Sequence, residues 1–226
     1  MAANLFKLVL TTALSLLLLS TLTAVYLLDQ LSLPVSKDSV FVIEPGSSLS
    51  TITKRLTRED LLPVNNIAFK AYAILTRDTG SIQAGQYQLK AGMPSQDVLA
   101  LFRSGKVIQH RITFPEGLRV QEWLERLQQA PYLESKTTGM TREDLRQFLG
   151  LATELEGSLF PDTYQYTLGD SDLDILELAV RKMKEVLGEE WSGRAMTVIS
   201  TPFDALVLAS MIEKETGYGP DREKIA

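Results

Sequence analysis

The sequence predicts an α+β protein: an amino-terminal membrane-crossing helix, a small α+β module, and a mainly helical α+β domain. Three observations predict it. A Leu-dominated run without charge extends from Leu8 to Leu28, matching the ~20 residues a helix needs to cross a bilayer core. Three later segments repeat one order: a β-like run, a turn holding Pro or Gly, and an amphipathic helix. Capped helical patterns then dominate to the last residues.

The first run is read as an uncleaved anchor over residues 1–30. Lys7 and the amino terminus lie before it, and Asp29 and Asp38 follow it. Cationic residues are retained on the cytoplasmic side, so the amino terminus stays inside and the chain from Ser32 onward is exported. A cleaved secretory signal is the rival. Its apolar region is roughly 7–15 residues and ends in a small-x-small site. Here the run is longer, and Ala24 is flanked by Leu22 and by Val25-Tyr26-Leu27-Leu28. Tyr26 suits an interfacial aromatic near the outer end.

Residues 31–38, with Pro34, form a short polar-mixed linker. The first β-turn-helix segment runs Val40–Ile43, Glu44-Pro45-Gly46-Ser47-Ser48, Leu49–Leu56. The second runs Gly85–Leu89, Lys90 to Ser95, Gln96–Phe102. The third runs His110–Phe114, Pro115-Glu116-Gly117, Leu118–Leu127. Gly allows each tight turn, and Ser residues sit at cap positions in the first two. The repeat is too irregular for a solenoid and reads as small α+β units with paired strands, over a module at 39–108 and a domain at 109–226. In that domain Thr141-Arg142-Glu143-Asp144 is a capping box, and Ser171 with Asp174 opens the next helix, which Gly188 is expected to stop. Thr201-Pro202-Phe203-Asp204 opens the last clear helix, running to about Thr216.

Composition narrows the chemistry. The chain has 226 residues and a formal net charge of −5, which argues against a nucleic-acid partner. It has no cysteine, excluding thiol catalysis, disulfides and cysteine–metal sites. His110 is the only histidine, and its place at a strand start marks it as structural. No phosphate-cradling glycine motif is present, and neither a cofactor nor a metal is expected. Carboxylates, hydroxyls, amides and aromatics remain.

Two stretches are unusual. Ala205–Ile212 is apolar on nearly all sides and is expected to be buried, delivering Glu213-Lys214-Glu215-Thr216 at its end. Desolvation there would hold a carboxyl protonated at neutral pH, as a general acid requires. At about 100° per residue, Glu213 and Glu215 point to opposite sides. Glu213 shares its face with the small Ala209 and Ser210, which leave room for a ligand, whereas Glu215 shares its face with Met211 and Ile212. Spacing alone also allows an ordinary charged helix end. The stretch from Glu156 to Tyr166 mixes aromatics, a turn and hydrogen-bonding groups. It suits a sugar-binding wall and equally a buried turn with core Phe and Tyr.

Taken together, these residues resemble a known family. Glu156-Gly157-Ser158-Leu159-Phe160-Pro161-Asp162-Thr163-Tyr164 is similar to the EGxLFPDTY signature of the endolytic murein transglycosylases, the MltG/YceG-like family. Ala209 to Thr216 resembles its ASIIEKET segment, Phe114–Gly117 its PEG turn, and Ala84–Tyr87 its AGxY strand. Ile43 to Ile52 resembles a lysin-motif-like glycan-binding module.

The resemblance implies small α+β units at a bacterial inner membrane and internal cleavage of peptidoglycan glycan strands to 1,6-anhydro-N-acetylmuramic acid ends. Penicillin-binding proteins and other wall-synthesis proteins are implied as partners. It assigns Glu213 as the catalytic acid. Beside it, Asp162, Thr163 and Tyr164 are read as shaping the groove or simply holding the turn, and Ser210 and Glu215 as lying at the substrate. The family's catalytic region continues past the Glu213 helix, so the catalytic domain is expected to be partial here. The competing class is a non-catalytic, anchored peptidoglycan-binding scaffold.

Overall fold

The computed structural model describes residues 2–63, 65–75, 82–194 and 199–215. It contains helices and two separate two-stranded antiparallel ribbons, a mixed architecture consistent with α+β. The chain divides into two compact units, 1–108 and 109–226.

The first unit opens with α1 (Ala2–Ser32). Its segment Val9–Ser32 is long and apolar enough to cross a membrane, and the described side chains up to Tyr26 are exposed. The helix does not run into slack chain. Leu31 and Val35 are buried. The Val35 N–H donates to Met93 O (2.8 Å), Gly92 N–H to Val35 O (2.9 Å) and Ser36 N–H to Leu61 O (2.9 Å). The 31–38 linker is thus tied down along its length.

Strands β1 (Ser39–Ile43) and β2 (Gly85–Leu89) pair from Ser39↔Leu89 to Ile43↔Gly85. Over the ribbon lie α2 (Leu49–Arg58), α3 (Asn66–Leu75) and α4 (Ser95–Ser104). Alternation puts Phe41, Ile43, Tyr87 and Leu89 into a core with Ile52, Leu56, Phe69 and Phe102. Phe102 stacks on Phe41 (5.7 Å) and meets the edge of Tyr87 (4.9 Å). Ser48 caps α2, accepting from Thr51 N–H (3.2 Å). Ser95 departs from its expected capping role. It is the first residue of α4, is buried, and gives its hydroxyl to Leu33 O (2.8 Å), so it fastens the linker instead. Helix α3 carries no strong start signal beyond Asn65, whose Oδ1 accepts from Ile67 N–H (2.8 Å).

In the second unit β3 (His110–Thr113) pairs with β4 (Thr163–Tyr166), from His110↔Tyr166 to Thr113↔Thr163. Its helices are α5 (Val120–Gln129), α6 (Arg142–Phe148), α7 (Asp172–Gly193) and α8 (Pro202–Glu215). The expected capping boxes of α6 and α7 form, Thr141 with Asp144 and Ser171 with Asp174. Gly188 does not stop α7, which continues to Gly193. Gly188 keeps a negative φ and costs such a helix only about 1 kcal/mol relative to Ala.

The second core joins Phe114, Trp123, Leu127, Leu145, Tyr164, Tyr166, Ile175, Leu176 and Ala179. Phe114 and Trp123 stack in parallel (3.6 Å, 1°). The buried Asp172 carboxylate accepts from Lys136 N–H (2.9 Å), Thr137 N–H (3.1 Å), Thr137 Oγ1 (2.6 Å) and Ser135 Oγ (3.3 Å), fastening the 134–138 loop to the start of α7. Helix α8 corrects an expectation: none of its residues is buried. The core closes around α5, α6, α7 and the ribbon without it, so Phe203, Val207 and Met211 stay exposed. Glu213 therefore does not stand at the end of a buried helix.

Candidate functional site

The third turn builds one wall of a cavity. Phe114 extends the β3–β4 pairing, its N–H donating to Asp162 O (2.9 Å), and its ring is fixed by Trp123. The chain must then turn at Pro115-Glu116-Gly117 before α5 begins at Val120. Two side chains hold that turn. The Val120 N–H, one of the unpaired donors at a helix start, reaches both carboxylate oxygens of Glu156 (3.2 and 3.5 Å). Lys214 Nζ, from α8, donates to Gly117 O (3.1 Å).

The opposite wall is α8. Thr201 and Asp204 cap it reciprocally, Asp204 N–H to Thr201 Oγ1 (3.1 Å) and Thr201 Oγ1 to Asp204 (2.7 Å). Leu206, Ala209, Ser210 and Glu213 follow at helical spacing and line a cavity of about 570 Å³ with Pro115–Arg119, Trp123, Glu154, Glu156, Gly157, Leu159 and Pro161. Glu213 is half-buried there. The Ser210 hydroxyl is turned back onto Val207 O (2.7 Å).

The structure therefore brings Ser210 and Glu213 together at this cavity and does not bring the other expected residues to its lining. Glu215 is exposed elsewhere on α8. Asp162 binds Thr163 N–H (2.6 Å) and forms an ion pair with Lys182. The Lys182 ammonium, then the Thr163 N–H, hold its carboxyl below the usual aspartate range. The Thr163 hydroxyl pairs with that of Thr113 (2.9 Å). Tyr164 is buried beside Phe114 and Trp123 and gives its hydroxyl to Phe160 O (2.5 Å). Burial first, then the Asp162 charge, pushes that phenol well above its ordinary value. These three side chains fix the turn behind the wall. Thr216 lies outside the described residues.

Sequence reasoning gave no role to Glu116, Glu154, Glu156, Arg119 or Lys214, all of which line the cavity. Glu156 opens a motif the sequence made conspicuous, and Lys214 adjoins Glu213. Their tasks depend on partners dozens of residues away, which no local pattern reveals. No cluster able to hold a metal ion occurs among the described residues.

A smaller apolar chamber of about 280 Å³ shares Glu156, Gly157, Met183, Phe203 and Leu206 with the cavity. The first unit has its own cavity of about 590 Å³, between the 43–50 turn and Lys70 and Ile74 of α3.

The profile of the YceG-like family matches residues 41–226. A protein of Bacillus subtilis (strain 168) named endolytic murein transglycosylase is 26% identical over 215 residues, 85% of this chain. The chain spans 59% of the length of that relative. A crystal structure of a YceG-like protein from Listeria monocytogenes aligns with 82% of this chain and 67% of its own, at 22% identity and a TM-score of 0.37.

Proposed function

We propose, from the premise that this chain belongs to the YceG-like family, that it is a membrane-anchored lytic transglycosylase cutting peptidoglycan glycan strands internally. The observation that carries the reading is Glu213, presented by α8 to a cavity whose far wall is the Pro115–Gly117 turn. The name of the Bacillus subtilis relative supports the substrate class.

A glycosidase of the common kind uses two carboxylates flanking the bond. A transglycosylase works with one. Glu213, protonated, donates to the oxygen leaving from C1 of N-acetylmuramic acid as the C1–O bond breaks. The same carboxylate then takes the proton of that sugar's C6 hydroxyl while its oxygen closes onto C1. The product is a 1,6-anhydro end, and no water is consumed. Holding the C6 hydroxyl against C1 is a proximity effect. Ser210 lies on the substrate side. Asp162, Thr163 and Tyr164 shape the groove from behind.

In this reading α1 is a single-pass anchor with a cytoplasmic amino terminus, and the units act outside the bacterial inner membrane. The first unit is a lysin-motif-like module on the same glycan, and wall-synthesis proteins, penicillin-binding proteins among them, are partners. A second reading, a non-catalytic peptidoglycan-binding scaffold, is favoured by the separate cavity of the first unit.

Mass spectrometry of purified sacculi incubated with the protein tests both. Anhydro-ended internal fragments, lost in Glu213→Gln, are the expected result. Reducing ends would overturn the single-carboxylate mechanism. Sacculus binding without any product would favour the scaffold.

A further inference from the structure

Helix α3 is apolar almost all round, and such a helix is ordinarily buried in a core or placed in a membrane. It is only half buried here. Ala68, Phe69 and Ala73 face the core, while Ile67 is 76% exposed and Ile74 64% exposed. Ile67, Ala71 and Ile74 recur at i, i+4 and i+7 and so form one stripe. A large aliphatic exposed to that degree has no reason in the fold of the first unit.

The position of the stripe relative to α1 is set by Asn65, the residue before α3. Its backbone N–H donates to Gln30 Oε1 (2.9 Å), and its side-chain amide donates to Tyr26 Oη (3.4 Å). Tyr26 lies near the outer end of the uncharged run, and Gln30 lies just past it. At 1.5 Å per residue these two bracket a few ångströms on either side of that end. The headgroup layer beyond the hydrocarbon is itself roughly 5–8 Å thick. Asn65 therefore sits at headgroup depth once α1 spans a bilayer, and Ile67, two residues on, lies within about 7 Å of it.

We propose that the Ile67–Ala71–Ile74 face of α3 is a second membrane contact, seated in the boundary between lipid headgroups and acyl chains beside α1. The inference rests on the reading of α1 as an anchor. The occupant is the bilayer because the contacts of Asn65 with α1 carry the stripe to it. Ile74 also borders the cavity of the first unit, so its lower edge serves both. Ile67 does not line that cavity and reports on the membrane alone.

The chain has no cysteine, which allows single labels on the whole protein. Ile67→Cys, Val40→Cys on β1 (49% exposed) and Leu17→Cys within α1 each receive an environment-sensitive fluorophore. Each protein is reconstituted in phosphatidylcholine vesicles with a nitroxide at the headgroup or deep in the acyl chain. The expected result is headgroup quenching at Ile67 about twofold or more above that at Val40, as for an apolar face at the interface, with deep quenching at Leu17. Quenching at Ile67 no stronger than at Val40, with Leu17 still quenched, overturns the second contact and leaves the anchor standing. Failure of quenching at Leu17 overturns the anchor itself and the inference with it. An unquenched Ile67 label together with a loss of sacculus binding in Ile67→Asp assigns the face to glycan and likewise overturns the proposal.

Discussion

Replacing Asp172 tests how the second unit is held together. The residue is fully buried at the first position of α7 and receives hydrogen bonds from three residues of the 134–138 loop. In Asp172→Ala, the exposed Lys136 N–H and Ser135 hydroxyl turn to water. Thr137 is buried, so its N–H and hydroxyl lose their acceptor without replacement, at about 1–2 kcal/mol each. Removing a negative charge from a helix start adds about 0.3–1 kcal/mol. The expected loss is about 3–4 kcal/mol. Asp172→Asn keeps one oxygen for the two N–H groups, and the Thr137 hydroxyl can turn to accept, so about 1 kcal/mol is expected. Both tryptophans, Trp123 and Trp191, belong to the second unit, so urea unfolding followed by their fluorescence reports that unit alone. At an m-value of about 2 kcal/mol per molar, the alanine variant should unfold roughly 1.5–2 M earlier. If the two variants differ by less than about 0.5 kcal/mol, the carboxylate does not fasten the loop and the reasoning is refuted.

Three further outcomes are expected. The Ser171 hydroxyl, then its N–H, hold the Asp174 carboxyl below its usual range, so its stabilisation is complete above the unfolded value near pH 4 and fades as pH falls through the lower folded value. Asp174→Asn should therefore be less stable than the parent at pH 7 and converge with it in strong acid; a gap constant from pH 7 to pH 3 would contradict this. Gly85 has a φ of +141°, and a Cβ there would come within 2.4 Å of Val107 Cγ1. Gly85→Ala should cost roughly 2–4 kcal/mol, read as faster amide exchange across β1 and β2, and unchanged protection would refute it. On the proposed activity, Glu156→Ala frees the start of α5 and should slow release of anhydro products about fivefold, for a hydrogen bond worth about 1 kcal/mol, with Glu156→Gln recovering most of it; equal rates in all three would deny Glu156 any part in holding the wall.

Much of the fold is legible because its signals are local. Thr141 with Asp144, Ser171 with Asp174 and Thr201 with Asp204 start helices by contacts three residues apart, and the caps form as written. The β-turn-helix order is equally local. What escapes is set by distant partners. The β3–β4 pairing joins residues about fifty positions apart. Helix α3 has an apolar composition but no periodic polar face, so its pattern does not mark it as a helix. The exposure of α8 is the sharpest case: apolar residues predict burial only where something packs on them, and among the described residues the core closes without α8. At the site, the spacing of Ala209, Ser210 and Glu213 is visible in the sequence, whereas the grip of Glu156 and Lys214 on the turn is not.

The fastening of residues 31–38 changes what α1 does mechanically. A slack connection would make α1 a leash, letting the first unit wander outward by the length of the loosened chain. Pinned at Leu33, Val35 and Ser36, the unit instead rides on α1 as on a post, at constant height. In the proposed anchor reading, any tilt of α1 as bilayer thickness changes swings the unit with it. With α1 as the proposed anchor, anything that the first unit meets must lie close to the bilayer surface.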